Sequence, residues 1–197
     1  MSRMDNEKYY SDVVTRHGNS AQGVHWNSQE TQYKRFEVLL KMIPLSSDDR
    51  IVDAGCGFGA LIDYLKEKKI DFGAYRGLEV METMVAAAQS RGLDVVQCDL
   101  LVDHLPVADY YLCSGAMNIL SREETNTFIT RCFDASTKGF VFNLLEGDDD
   151  SLLYNYWRPE EIEVMAEKMG ADCKIVRGYL PKDFSVFLAK QAEDGRS

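Results

Sequence analysis

One acid and three glycines stand together after a short apolar run, and this combination can hold a nucleotide-like ligand. Asp53 ends the run that begins at Ile51, and glycine follows at alternate positions: Gly55, Gly57 and Gly59. Glycine allows backbone angles that a side chain forbids and lets the main chain approach a ligand closely. Open α/β sheets place their ligand crevice at the carboxyl ends of their strands, which is where Asp53 is expected. The segment therefore predicts a cofactor-binding loop between a strand and a helix.

Two classes of cofactor compete for this loop. Gly55, Gly57 and Ala60 also fit the loose glycine pattern of NAD-binding folds. An acid at position 53 would repel a pyrophosphate, whereas it would attract a cofactor that carries an ammonium group, such as S-adenosylmethionine. Glu79 ends a second predicted strand and lies about 20 residues after Gly59, a distance at which a carboxylate can accept both ribose hydroxyls. The order of these acids favours S-adenosylmethionine.

Three segments taken in order resemble the signatures of class I S-adenosylmethionine-dependent methyltransferases. They are V-D-A-G-C-G-F-G from position 52, G-L-E-V-M from position 77 and Q-C-D-L-L from position 97. The resemblance extends over roughly residues 50–190, and Leu112-Cys113-Ser114-Gly115 matches the end of the family's fourth strand. It implies transfer of a methyl group from S-adenosylmethionine, with S-adenosylhomocysteine as the product. The motifs are specific for the cofactor and say little about the acceptor.

The resemblance implies roles for residues at the methionine end of the cofactor. Asp53 and the backbone around Gly55, Cys56 and Gly57 would hold the methionine part, and Ser114 would border the reactive methyl group.

At the nucleoside end, the resemblance places Glu79 on the ribose and Val80 and Met81 on either side of the adenine. Asp99 would accept a hydrogen bond from the adenine amino group, and the Leu100 amide would donate one to the ring.

The segment before the first strand offers further candidates. Residues 19–27 form a polar, glycine-containing connection that could close over the site as a lid and bring His25 and Trp26 to it, or these two side chains could pack the N-terminal helices onto the sheet. Arg35 could bind the cofactor carboxylate in bidentate fashion, or it could be a solvated arginine on a helix face. His25 and Tyr156 are weak catalytic candidates, because either could take or orient a proton of the acceptor.

Cysteines and acidic runs give no metal or disulfide site. The five cysteines are odd in number and form no C-x-x-C pair, which argues against a disulfide framework and a zinc site. The acids of residues 146–150 could chelate a divalent cation, as in catechol-type methyltransferases, but consecutive acids are more often a solvated turn. We expect no metal.

Composition limits the partners. A net charge of −10 and a pI near 4.8 disfavour nucleic acid, because affinity for phosphates depends on Lys and Arg. The Asn-Pro-Pro-Tyr type signature of amino-directed nucleic-acid methyltransferases is absent after the fourth strand, where the chain reads S-G-A-M. No apolar span suggests a membrane segment or a signal peptide, so we expect a cytoplasmic protein with no membrane partner. The oligomeric state is not indicated.

Alternating strand and helix patterns predict the fold. We expect a doubly wound, seven-stranded, mostly parallel sheet between two helical layers (α-β-α), with a C-terminal antiparallel hairpin and added N-terminal helices. The predicted strands are 50–54, 74–79, 94–98, 108–113, 138–144, 173–179 and 184–190, and the predicted helices are 4–16, 28–43, 59–69, 81–91, 121–135 and 160–169. Residues 1–190 would form one domain with a helical lid region at 1–45, followed by a polar tail at 191–197.

Three hypotheses for the function follow. The first is methyl transfer to an O, N or C atom of a small-molecule acceptor. The second is methylation of a protein or RNA, which needs a docking surface that the acidic charge does not suggest. The third is a noncatalytic module that keeps the cofactor fold, because fold does not imply function. Asp53, Glu79 and Asp99 argue against the third.

Overall fold

The computed structural model describes residues 29–148 and 154–191, and their core is one mixed sheet. Its strands are β1 (Arg50–Ala54), β2 (Ala74–Glu79), β3 (Val95–Gln97), β4 (Ala108–Cys113), β5 (Ser136–Glu146), β6 (Tyr156–Trp157), β7 (Ala171–Arg177) and β8 (Asp183–Lys190). The order across the sheet is β3-β2-β1-β4-β5-β8-β7, and β6 pairs with the end of β5. Strand β8 runs antiparallel between β5 and β7, whereas the other pairs are parallel.

Helices cover both faces of the sheet. They are α1 (Gln29–Met42), α2 (Ala60–Glu67), α3 (Glu82–Ser90), α4 (Arg122–Ala135) and α5 (Pro159–Met169), and a short 3₁₀ helix spans Ala116–Ile119. Helices α1 and α2 pack on the face that includes Ile51, Leu112 and Val141. Helices α4 and α5 pack on the opposite face. None of the helices in the described ranges is long and apolar enough to cross a bilayer.

The predicted fold class is confirmed, with two additions. The bounds of β1, β2 and β4 agree with the sequence-based prediction at every residue, and the C-terminal pair is antiparallel as expected. Strand β6 and the 3₁₀ helix were not predicted, because two- and four-residue elements are too short to show a period. The predicted helix 4–16 lies outside the described residues.

Local sequence signals fix the ends of these helices. Ser121 caps α4: its hydroxyl accepts from the Glu124 N–H at 3.2 Å, and the Glu124 carboxylate accepts from the Ser121 N–H at 2.8 Å, the predicted capping box. Pro159 begins α5, and Gly170 ends it in the left-handed conformation. Strands β1, β2, β4 and β5 are parallel, so their carboxyl ends meet at one edge of the sheet.

Candidate functional site

The glycine loop after β1 is held close to the neighbouring strand and to the 3₁₀ helix. Gly55, Gly57 and Gly59 all have positive φ, at 77°, 55° and 86°. The Gly55 and Cys56 amides donate to the Leu78 carbonyl at 2.8 and 3.1 Å. A Cβ on Gly55 would lie 2.4 Å from the Ala116 Cβ, so this position has no room for a side chain. The loop therefore presents bare backbone at the carboxyl edge of the sheet.

Glu79, the last residue of β2, binds backbone amides in the glycine loop and in the segment that follows β2. Its carboxylate accepts from the Gly57 N–H at 2.9 Å and from the Met81 N–H at 3.0 Å. Only 7% of the residue is exposed, and burial raises its pKa while the backbone hydrogen bonds oppose that shift. Carboxylate oxygens can each accept two hydrogen bonds, so Glu79 keeps capacity for a ligand hydroxyl.

Asp53 is the second buried acid at this edge, and a tyrosine from β2 binds it. The Tyr75 hydroxyl donates to Asp53 Oδ2 at 2.8 Å. Burial, with a smaller contribution from the nearby Glu79 charge, raises the pKa of Asp53 to about 7, and the Tyr75 hydrogen bond opposes this rise. Two buried acids at neighbouring strand ends attract a cation strongly.

The residues predicted for the nucleoside end lie beyond Glu79. Val80 is 40% exposed and forms an open apolar surface at the end of β2. Asp99 follows β3, and its carboxylate accepts from the Leu101 N–H at 3.0 Å. Leu100 is buried in the core, and its carbonyl accepts from Arg131 Nε at 2.8 Å. Their roles toward adenine stay predictions.

Ser114 and Asn143 come directly after the last residue pair of the β4–β5 ladder, Cys113 and Phe142. Ser114 lies just beyond β4, whereas Asn143 lies within β5 and pairs with Ser185 of β8. Both side chains hold a buried oxygen, Ser114 Oγ and Asn143 Oδ1, that has no hydrogen-bond partner within the part of the chain that the structure describes. Asn143 is fully buried, and its Nδ2 donates to Asp183 at 3.2 Å. Two unpaired oxygens beyond the last β4–β5 residue pair favour a ligand or water here, because unpaired buried polar atoms are costly.

Arg35 on α1 has a carboxylate partner within the chain. Its Nε donates to Oδ2 of the fully buried Asp183 at 2.5 Å, and the Tyr179 hydroxyl binds the other oxygen of Asp183. Burial raises the pKa of Asp183, and the Arg35 charge opposes that rise. A role for Arg35 at the cofactor carboxylate stays a prediction, and it would have to share the guanidinium with Asp183.

The remaining candidates are two described side chains, Cys56 and Tyr156, and a group that lies outside the described residues. His25, Trp26 and the predicted lid 19–27 belong to the second group. The Cys56 thiol is buried, which raises its pKa and opposes nucleophilic chemistry. Tyr156 lies on β6 and pairs with Leu145 of β5, with Lys182 Nζ 6.0 Å from its ring centre.

In the acidic loop, each carboxylate that the structure describes is paired with an arginine. Glu146 binds Arg177, and Asp148 accepts from Arg158 Nε at 2.6 Å. Asp149 and Asp150 lie outside the described residues. Among the residues that the structure describes, no three metal-binding side chains come together.

The residues present fit S-adenosylmethionine. Asp53 and Glu79 match the ammonium and the ribose, the Gly55 backbone leaves no room for a side chain, and Ser114 Oγ is unpaired. Sequence reasoning named the loop after Asn143 as a possible part of the acceptor site, but it gave no role to the side chains of Tyr75 and Asn143. The strand register is the signal that would have found them. It places Tyr75 opposite Ile51, two residues before Gly77, which lies opposite Asp53. It also places Asn143 level with Ser114.

Comparisons with known proteins indicate the family of the chain. A family profile described as "Methionine biosynthesis protein MetW" matches residues 33–118. The chain is 32% identical over 125 residues to "Putative methyltransferase Rv1506c" of Mycobacterium tuberculosis, a match that covers 57% of this chain and 72% of that protein.

Solved structures show the same fold. A methyltransferase from Leishmania major superimposes with a TM-score of 0.69 at 15% identity, over 92% of this chain and 83% of its own. Magnesium protoporphyrin IX methyltransferase from Synechocystis, crystallised with S-adenosylmethionine, gives 0.64 at 15% identity, over 83% and 79%. The fold and the relative define an enzyme that transfers methyl groups. The chain belongs to the class I S-adenosylmethionine-dependent methyltransferases.

Proposed function

We propose that this enzyme methylates an O, N or C atom of a small-molecule acceptor, with S-adenosylmethionine bound along the carboxyl edge of β1, β2 and β4. The observation that carries the proposal is the pair of buried acids, Asp53 and Glu79, on either side of a glycine loop. Acids in these places favour a cofactor with an ammonium group and ribose hydroxyls over one with a pyrophosphate.

Each end of the cofactor has its own residues in this proposal. Asp53 binds the ammonium, and the backbone of Gly55, Cys56 and Gly57 lies along the methionine part. Glu79 binds the ribose hydroxyls through the lone pairs that Gly57 and Met81 leave unused.

The adenine lies against the exposed Val80 and against Met81, near Asp99 and Leu100. Ser114 borders the methyl group. Ser114 and Asn143 together mark the edge at which the acceptor meets the cofactor.

Methyl transfer of this kind needs little acid–base catalysis from the protein's own side chains. The bound cofactor supplies a methyl group on a positively charged sulfur, which is a strong electrophile. The chain's residues hold the acceptor in line and exclude water, and positioning of this kind lowers most of the barrier. An acceptor that loses a proton can release it after transfer, and His25 and Tyr156 stay weak candidates for taking it.

The charge of the chain supports a small acceptor over nucleic acid. A chain with 32 acidic and 22 basic side chains has few ways to neutralise a phosphate backbone. Many of the described arginines and lysines are already paired with acids, as in the ion pairs Arg50–Asp109, Arg76–Asp94 and Arg91–Asp63.

Two measurements test the proposal. Calorimetry with S-adenosylhomocysteine should show binding that Glu79→Ala weakens by about 1–3 kcal/mol, because the ribose hydroxyls lose their partner.

The second measurement identifies the class of acceptor. The enzyme and S-adenosylmethionine with a tritiated methyl group should be incubated with a metabolite extract and, separately, with the RNA and protein of the same cells. Label that chromatography recovers in a small molecule other than the methyl donor supports a small acceptor, and label that a small-pore filter retains with RNA or protein contradicts it. The Asp53→Ala variant is the control: label that is transferred equally with this variant does not depend on the proposed cofactor site.

A further inference from the structure

Asp53 has a hydrogen-bond donor that does not belong to any cofactor motif. Tyr75 lies four residues before Glu79 on β2, and its hydroxyl donates to Asp53 Oδ2 at 2.8 Å. The residue opposite Asp53 in the β1–β2 register is Gly77, which has no side chain to contact the carboxylate. A Cβ at Gly77 would lie 2.6 Å from Cys56 Sγ in the glycine loop, so there is no room for a side chain at this position. The side-chain partner of Asp53 on β2 therefore comes from Tyr75.

The groups around Asp53 leave it poorly supported as an anion. Glu79 on β2 adds a like charge, and the thiols of Cys56 on the loop and Cys113 on β4 are close enough to interact with it. Within the described ranges, Tyr75 is the only group found to lower the pKa of Asp53, which burial raises to about 7. The pKa of Tyr75 itself is raised by burial and by Asp53, so its phenol keeps its proton and remains a donor.

We propose that Tyr75 is a positioning residue of this methyltransferase: it holds Asp53 as an oriented carboxylate, ready to receive the ammonium group of the cofactor. This inference rests on the proposed role of Asp53. A phenol that donates to a carboxylate favours the ionised form and fixes one of its oxygens, which leaves the other for the ligand. Without the phenol, a larger fraction of Asp53 is protonated at neutral pH, and that fraction must lose its proton before the ammonium can bind.

A pH dependence follows, with a definite sign. Because the pKa of Asp53 lies at about 7 in the unliganded protein, acidification protonates the carboxylate and binding of the ammonium weakens. Below that pKa, the Kd for S-adenosylhomocysteine should rise by up to about tenfold per pH unit. Loss of the Tyr75 hydroxyl raises the pKa of Asp53 further, so the midpoint of this dependence should move to higher pH.

The test is calorimetric titration of the full chain with S-adenosylhomocysteine between pH 5.5 and 8.5. We expect Tyr75→Phe to raise the midpoint by about one pH unit, which corresponds to about a fivefold higher Kd at pH 7 and a smaller difference at pH 8.5. Tyr33→Phe is the matched control, because it removes another phenol–carboxylate hydrogen bond, from Tyr33 to Glu67 Oε2 at 3.0 Å, on the exposed surface. Its midpoint should equal that of the unmodified protein. Asp53→Asn should bind weakly and show no midpoint in this range.

A second variant keeps the ring in place. Fluorotyrosine at position 75 is a stronger hydrogen-bond donor than tyrosine and should move the midpoint to lower pH. If both variants keep the midpoint of the unmodified protein, or if Tyr75→Phe only lowers the melting temperature, the hydroxyl is structural and the inference is wrong. If the unmodified protein does not bind S-adenosylhomocysteine, the proposed function itself fails, which is a distinct result.

Discussion

At the scale of single residues, the glycine loop depends on contacts that a sequence pattern does not show. Gly55 and Gly92 have nearly the same φ, at 77° and 78°. A Cβ on Gly55 would lie 2.4 Å from the Ala116 Cβ, whereas a Cβ on Gly92 would have no atom within 4 Å. The two positions share the conformational requirement, and only Gly55 adds a steric one.

This difference gives the first prediction. Gly92→Ala should cost about 1–2 kcal/mol of unfolding free energy, because an L residue is strained at positive φ. Gly55→Ala should cost about 1–3 kcal/mol more, because its methyl group overlaps that of Ala116. The double variant Gly55→Ala/Ala116→Gly should recover most of the difference, and urea unfolding measures all three. An Ala116→Gly change that gives no recovery would contradict the steric explanation.

The same comparison shows what sequence reasoning can reach at this scale. Asp53, Glu79 and the glycines are identified by their types and order along the chain, because the two acids stand at the ends of predicted strands and the glycines come directly after the first of these strands. Tyr75 and Asn143 could not be identified, because their significance depends on which residue lies opposite them in a neighbouring strand. Register is set by the packing of the whole sheet and is not written in local spacing.

At the scale of elements, a buried ion pair joins the first described helix to the last strand. Arg35 of α1 is 15% exposed in its side chain, and Asp183 at the start of β8 is fully buried. Removal of one partner of a buried pair leaves an uncompensated charge, which typically costs about 3–5 kcal/mol. The pair connects residues 148 positions apart, so it fixes how α1 lies over the sheet beside the site.

The second prediction concerns this pair. Arg35→Met should destabilise the protein by about 3 kcal/mol at pH 8 and by less at pH 5. The sign follows from the pKa of Asp183, which burial already raises and which would rise further without Arg35. A carboxyl group with a raised pKa in the folded state keeps its proton there while the unfolded chain has lost it, so stability falls as pH rises through this interval. Arg35→Lys is the control that keeps the charge, and an equal penalty at both pH values would contradict the argument.

The strands also show which element bounds the sequence could predict and which it could not. Strands β1, β2 and β4 were predicted residue by residue because their apolar runs end at polar or glycine signals. Strand β5 extends beyond its prediction at both ends, from Ser136 to Glu146. Pairing with β4 at Ser136, and with β8 and β6 at the other end, extends it over residues that have no strand pattern of their own. Tertiary pairing overrides local preference in this way.

At the scale of the whole molecule, the sheet is shared by the core clusters that lie on its two faces. Leu112 and Val141 face α1 and α2, whereas their neighbours Cys113 and Phe142 face α4 and α5. Neither face can lose its packing without disturbing the same strands. We infer that the described residues, 29–148 and 154–191, behave as one domain and unfold in a single transition.

The last prediction concerns the effect of the bound ligand on the melting temperature of this cooperative domain. A ligand that binds only the folded chain stabilises it by about 2.7 kcal/mol at a concentration one hundred times its Kd. For a chain of this size, each kcal/mol corresponds to about 2–4 °C in melting temperature, so S-adenosylhomocysteine at that concentration should raise the Tm by about 5–10 °C. NAD at equal concentration should leave the Tm unchanged, because Asp53 would repel its pyrophosphate. The shift should also fall between pH 8 and pH 6, since Asp53, whose pKa is about 7, takes up a proton over this range. Stabilisation by NAD, or a shift that grows on acidification, would show that the two acids do not select the ligand.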